Sequence, residues 1–206
     1  MHLALQSVAA NYGPRHVIYD LSLDLQQGEI LVVSGRNGSG KSTLLRLLCG
    51  LQQPSSGQIR YTHQERAYTP QAARHLLGWV SPDLMLYREL TASENLHFFA
   101  RVRGLPWSTA DSAALLDRVE LAGRGHDLVS SYSSGMTQRL RYAYALQGQP
   151  LVLLLDEPTV TLDEQGMALV HRIIEQQRQH GPVVVATNDP RELALGDYVL
   201  QLQPPR

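Results

Sequence analysis

Residues 35–42 of this 206-residue chain, Gly35-Arg36-Asn37-Gly38-Ser39-Gly40-Lys41-Ser42, fit the pattern G-x-x-x-x-G-K-[ST] at every specified position. They lie between an apolar run, Ile30 to Ser34, that reads as a strand, and a helical run with Leu44, Leu45, Leu47 and Leu48 that stops at Gly50 and Pro54. Strand, glycine loop and helix in that order make an anion cradle. Glycines let several backbone N–H groups turn inward, and the helix start adds the positive end of its dipole. In such a cradle Lys41 is expected to bridge outer phosphates, and Ser42 to offer a hydroxyl to the Mg²⁺ that nucleotides carry. Thr43 lies close enough to reach an inner phosphate. Taken alone the loop leaves the family open, since average residue frequencies give a chance match in roughly one in a hundred chains of this length.

The rest of the chain supplies the context. Leu3 to Val8 and Leu21 to Leu25 read as short strands around a polar turn at Asn11 to Pro14. From about Thr91 to Gln147 strands give way to helices, one of which opens with Ser108 three residues ahead of Asp111, a capping-box spacing. This is expected to be a helical subdomain, approximately residues 84–148, inserted into a sheet. Strand (Leu151 to Leu155), amphipathic helix (Glu164 to His180) and strand (Val183 to Thr187) then follow, an alternation that indicates a parallel α/β sheet. With 43% hydrophobic residues the chain can build one sizeable core, so residues 1–206 are expected to form a single domain. Pro204 and Pro205 follow soon after Tyr198 to Leu202, and no regulatory tail domain is expected.

Leu151-Val152-Leu153-Leu154-Leu155-Asp156-Glu157-Pro158 is an apolar strand ending in two adjacent carboxylates, at the sheet edge where ligands bind. Asp156 suits holding Mg²⁺ through a water, and Glu157 suits polarising a water that attacks phosphorus. A second anion-binding end is expected where Tyr132-Ser133-Ser134-Gly135-Met136 opens a helix through Gln138, Leu140, Tyr144 and Leu146. That helix is far from the glycine loop in sequence. It becomes useful if a second copy supplies it across an interface.

Composition narrows the partners. Eighteen basic and nineteen acidic residues nearly cancel, so no polyanion such as nucleic acid is expected. Arg139 and Arg141 on the second helix are read as its solvated side. Apolar runs of about five residues fall short of the roughly 20 needed to span a bilayer, and the N-terminus lacks a secretory leader pattern. The single cysteine, Cys49, is expected to be a small buried residue in a reducing compartment. His97, His126 and His171 share no ligand spacing.

The glycine loop, Ser133-Ser134-Gly135, Asp156-Glu157-Pro158 and Thr161-Leu162-Asp163 together resemble the ATP-binding cassette ATPases, over essentially the whole chain. The resemblance implies an α/β P-loop NTPase with a parallel-sheet core, an antiparallel β subdomain and an inserted helical subdomain. It also implies ATP and Mg²⁺ as ligands, Tyr12 stacked on adenine, and Asp163 in a loop that communicates across a homodimer or heterodimer. A separate integral membrane permease is the implied partner, touched by the helical subdomain, and places the chain on the cytoplasmic face of a membrane. In size the chain is similar to the haem-exporter ATPases of cytochrome c maturation and to small drug- or polysaccharide-type exporters, and export is the expected direction.

The signature segment and two single residues depart from the family pattern. The signature usually reads Leu-Ser-Gly-Gly-Gln where this chain has Tyr132 to Met136; Pro82 stands where a glutamine is usual; and Asn188 replaces a histidine. Asn can hydrogen-bond but cannot carry a proton. Slow hydrolysis, as in an ATP-dependent dimerisation switch, and ordinary turnover both remain open on the sequence. A soluble cassette ATPase acting on ribosomes or DNA is the alternative; such proteins usually carry two cassettes or a long coiled coil, and neither is seen. A P-loop kinase or small GTPase leaves Ser133 to Met136 without a role.

Overall fold

The structure, a computed structural model, describes residues 1–203; Pro204 and Pro205 lie outside the described residues. In chain order its elements are β1 (His2–Tyr12), β2 (Arg15–Gln26), β3 (Ile30–Ser34), α1 (Lys41–Leu48), β4 (Ser56–His63), β5 (Arg66–Tyr68) and β6 (Leu77–Val80). There follow α2 (Ala92–Val102), α3 (Thr109–Arg118), α4 (Ser134–Leu146), β7 (Val152–Asp156), α5 (Glu164–Arg178), β8 (Val183–Thr187) and β9 (Tyr198–Gln201). Two sheets result, one antiparallel in the order β2-β1-β4-β5 and one parallel in the order β6-β7-β8-β3-β9. This is the P-loop α/β arrangement that the resemblance implied.

The parallel sheet follows from its residues. β7 and β8 are buried at every position and β3 at all but its last, as near-continuous aliphatic runs require when both faces of a strand are covered. Successive side chains point to opposite faces, so each strand feeds two cores. Ile30, Val32, Leu153, Leu155, Val183 and Val185 face Leu140, Tyr142, Leu169 and Ile173 of the helices α4 and α5. Leu31, Val33, Leu154 and Val184 face Leu44, Leu45 and Leu48 of α1, with Leu3, Leu5 and Tyr61 of the antiparallel sheet beyond. Registers Ser34↔Thr187 and Asp156↔Ala186 bring the carboxyl ends of β3, β8 and β7 side by side. Everything that leaves those three ends is therefore adjacent.

Several expectations change in detail. The two opening strands are long rather than short: β1 and β2 have 11 and 12 residues and pair from His2↔Gln26 to Tyr12↔Arg15. Their polar outer residues hide this from an apolar pattern. Strands β4 and β5 have no apolar pattern for a similar reason, since β4 buries only Ile59 and Tyr61 and β5 spans three residues, while β6 is apolar but only four residues long. Ser108 caps α3 in a capping box with Asp111 as expected, and Thr91 and Glu94 form a second box on α2. Arg139 and Arg141 are not a solvated side. Arg139 lies 2.9 Å from Glu120 and 3.8 Å from Asp163, while Arg141 donates to the Leu84 carbonyl and to Gln138. Cys49 is buried and free. Among the described residues no helix is long and apolar enough to cross a membrane.

Candidate functional site

β3 hands the chain to the glycine loop, and the loop's backbone explains its composition. Gly38 and Gly40 sit at φ +81° and +106°, where an L side chain is strained. A Cβ on Gly40 would also fall 2.5 Å from Val17 Cγ1, so the loop folds this tightly against β2 only with glycine there. α1 starts at once with Lys41 and has no side chain capping its first turn, which leaves N–H groups directed at the loop. The Ser39 hydroxyl is buried without a hydrogen-bond partner among the described residues. The Arg36 carbonyl accepts from Ser39 N at 3.0 Å and closes the turn.

Lys41 is 6% exposed, and its Nζ donates to the Gly35 carbonyl at 2.9 Å and lies 3.4 Å from Glu157 Oε1. Glu157 follows β7 with φ +49°, and its Oε2 accepts from the backbone N–H of Asn188 at 3.3 Å. The Asn188 amide donates to Asn37 Oδ1 at 3.1 Å. Three loops, after β3, β7 and β8, are thus cross-bound through the predicted residues. A cavity of about 500 Å³ opens beside the loops after β3 and β7, lined by Tyr12, Lys41, Ser42, Thr43, Asp156 and Glu157; Asn188 does not line it. Tyr12 is half-exposed at the end of β1, its hydroxyl donating to Gln52 at 2.7 Å.

Other predicted residues lie apart from this cavity. Ser133 caps α4 by accepting from Met136 N at 3.2 Å, and Ser134 and Gly135 form the helix's first turn. Asp163 caps α5 by accepting from Gly166 N at 2.8 Å. Arg15, Arg46 and Asp83 also line the cavity without a role expected from the sequence, and so does Pro82, which stands where the family pattern has a glutamine. Arg46 and Asp83 are 3.4 Å apart. Only the helical spacing of Arg46, one turn beyond Ser42, carried a signal.

Ser42 hydrogen-bonds the Asp156 carboxyl, which is 5% exposed. Burial pushes this carboxyl above its ordinary range; the Ser42 bond pulls it down and Glu157 pushes it further up. A carboxyl raised in the folded state stabilises the fold while protonated. That contribution is full below about pH 4 and lost as pH rises through the raised value. At neutral pH ionised Asp156 is therefore a cost to stability. Asp156→Asn is expected to raise the melting temperature at pH 7 without nucleotide or Mg²⁺ while lowering Mg²⁺-dependent activity; an unchanged or lower melting temperature contradicts this.

A hydroxyl and a buried carboxylate on one cavity fit a hard cation, which prefers oxygen ligands. Among the described residues no cluster of three His, Cys, Asp or Glu is poised to hold a metal, and a cation held by Ser42 and Asp156 would take its other ligands from phosphate and water. Together with a buried lysine and inward N–H groups, this is the donor set of a nucleotide with its Mg²⁺.

The comparisons agree. The family model for ABC transporters matches residues 18–160, more than half of the chain. The cytochrome c biogenesis ATP-binding export protein CcmA of Brucella abortus is 34% identical over 92% of this chain and 86% of its own length. The sulfate/thiosulfate import ATP-binding protein CysA of Gloeobacter violaceus is 34% identical over 97% of this chain and 59% of its own. With three other curated relatives the chain spans from 22% to 60% of the relative's length. A dimeric, post-hydrolysis ATP-binding cassette bound to ADP and Pi superposes with a TM-score of 0.85 at 23% identity, over 98% of this chain and 94% of that one. The chain belongs to the ABC transporter family and has the fold of its ATP-binding cassettes.

Proposed function

We propose that this chain is the ATP-binding and ATP-hydrolysing subunit of an ABC transporter, working as a pair of cassettes beneath a separate membrane permease. The observation that carries the reading is the convergence of Lys41, Ser42, Asp156 and Glu157 on one cavity at the carboxyl ends of β3 and β7. Gly35 to Gly40 and Lys41 would grip the phosphates, Thr43 an inner phosphate, and Tyr12 the base. Ser42 and Asp156 would hold Mg²⁺, which when bound neutralises phosphate charge. Glu157 takes a proton from the attacking water, and Asn188 orients by hydrogen bonding alone. Ser133, Ser134 and Gly135, remote from this cavity within one copy, serve the nucleotide of the twin copy, with Asp163 near the junction. The dimeric ADP-bound cassette supports this pairing by its likeness of fold.

The helical segment, approximately residues 84–148, is the proposed contact to the permease. Supporting this, a second cavity of about 760 Å³ with a largely apolar lining that includes Leu51, Trp79, Met85 and Tyr144 lies between that segment and the sheet. Met85 is 83% exposed there, and Arg74 and Arg103 add positive charge, while Arg46 is paired with Asp83. An apolar permease segment carrying carboxylates suits it. Export is the proposed direction because the export protein CcmA is matched over most of its length. Residence on the inner face of a membrane follows from the permease.

Mg-ATP is expected to convert the purified chain to a dimer and release phosphate, and the tagged chain to retain an integral membrane protein that Met85→Glu releases. A chain that neither pairs nor consumes ATP with the membrane protein present is not this subunit.

A further inference from the structure

We propose that Glu192 is a positioning residue: through Thr159 it holds the loop that carries Glu157 in register with the loop that carries Asn188. The inference rests on the functional reading above only for the step that Glu157 performs. Glu192 lies in a 3₁₀ turn, Pro190–Leu195, directly after the Asn188 loop, and is 3% exposed. Its Oε1 accepts a hydrogen bond from Thr159 Oγ1 at 2.6 Å, while its Oε2 has no hydrogen-bond partner among the described residues. A buried carboxyl satisfied on one oxygen is costly, and an aliphatic side chain fills such a place more favourably. The bond to Thr159 is what an aliphatic residue could not make.

Thr159 stands two residues beyond Glu157, and the residue between them is also tethered. The Pro158 carbonyl accepts from Tyr142 Oη at 3.0 Å and from Gln138 Nε2 at 3.3 Å, both on α4. On the other side, Glu157 N donates to the Ala186 carbonyl at 2.8 Å. So the loop after β7 is pinned at three successive residues, by β8, by α4 and by the Glu192 turn. Glu157 needs such pinning. At φ +49° it occupies backbone space that a non-glycine residue keeps when its surroundings over-determine it. Because α4 opens at Ser133 to Gly135, Pro158, held by Gln138 and Tyr142 of that helix, also ties α4 to the residue next to Glu157. Glu192 touches no reacting atom; it acts on where Glu157 points.

Thr159→Val removes the hydroxyl at nearly constant shape, and Glu192→Leu removes the acceptor. Each is expected to lower kcat for ATP on the order of tenfold to a hundredfold, the scale of a misplaced catalytic group, with KM changed by less than about twofold. Thr159→Ser and Glu192→Gln keep the hydroxyl and the acceptor and are expected to keep most of kcat. The double variant should be no slower than the slower single one, as for two ends of one bond. Hydrogen exchange of the free chain gives a readout that needs no turnover: the amides of Glu157, Thr159, Val160 and Thr161 should exchange faster in Thr159→Val, with α1 as protected as before. Unchanged exchange there overturns the proposal, as do undiminished kcat in both single variants or equal losses in Thr159→Ser and Thr159→Val. If the unmodified chain hydrolyses no ATP, the functional reading fails by itself, and exchange at residues 157–161 still decides the role of Glu192.

Discussion

ATP turnover by Glu157→Gln is expected to fall by about 10²- to 10⁴-fold, the usual worth of a positioned general base, with nucleotide affinity retained and a dimer that persists in Mg-ATP. Glutamine keeps the shape of the side chain, and its amide oxygen can still accept from Asn188 N, so the three cross-bound loops should stay assembled. What it loses is the capacity to take a proton. Neither neighbour can replace it. Asp156 is buried and engaged by Ser42, and Asn188, where a basic side chain would have offered a second route, has an amide. On the proposed function two cassettes close on ATP and reopen when it is cleaved, so a variant that binds without cleaving should accumulate in the closed form. Size-exclusion chromatography in Mg-ATP and single-turnover phosphate release measure the two halves separately. Undiminished phosphate release removes Glu157 from the hydrolytic role.

The site was legible in the sequence wherever one residue type alone fits its place. Gly38 and Gly40 take backbone angles that exclude side chains, and the apolar runs of β3, β7 and β8 are long because both faces are covered. Those two signals locate the loop and the paired carboxylates, and β8 spans Val183–Thr187 as read. Residues whose duty depends on a distant partner gave no such signal. Glu192 meets Thr159 across 33 positions, and Arg139 meets Glu120 across 19. Glu120 shows why. It follows α3 at φ +57°, a position that glycine commonly takes, yet its carboxylate bonds Arg139 of α4 and Arg172 of α5. A helix-end pattern expects glycine there; the ion pairs that hold the glutamate belong to tertiary structure. The charge pattern of α4 misled for the same reason, since arginines spaced like a wet face are partly buried among carbonyls and carboxylates.

Lys41→Ala is expected to weaken Mg-ATP binding by about 2–5 kcal/mol, the cost of removing one partner from a buried charged contact, or about 30- to 5,000-fold in Kd. The backbone cradle survives the change, so binding should weaken rather than vanish. Two effects act together in the alanine variant: the phosphates lose a cation, and Glu157, 18% exposed with Lys41 Nζ 3.4 Å away, loses its counter-charge. Lys41→Met separates charge from volume, because it fills the space beside the Gly35 carbonyl without a donor. If charge is what matters, methionine should bind as poorly as alanine. Adding Glu157→Gln to either variant should then recover part of the loss, since a neutral amide no longer repels phosphate. Titration calorimetry reads this directly. The melting temperature reads it independently, since ligand at a hundred times Kd adds about 2.7 kcal/mol, and the variants should forfeit most of that shift at the same concentration. Binding by Lys41→Met as tight as that of the unmodified chain means that the triphosphate is not gripped at residues 35–42, and the roles given to Ser42, Asp156 and Glu157 fall with it.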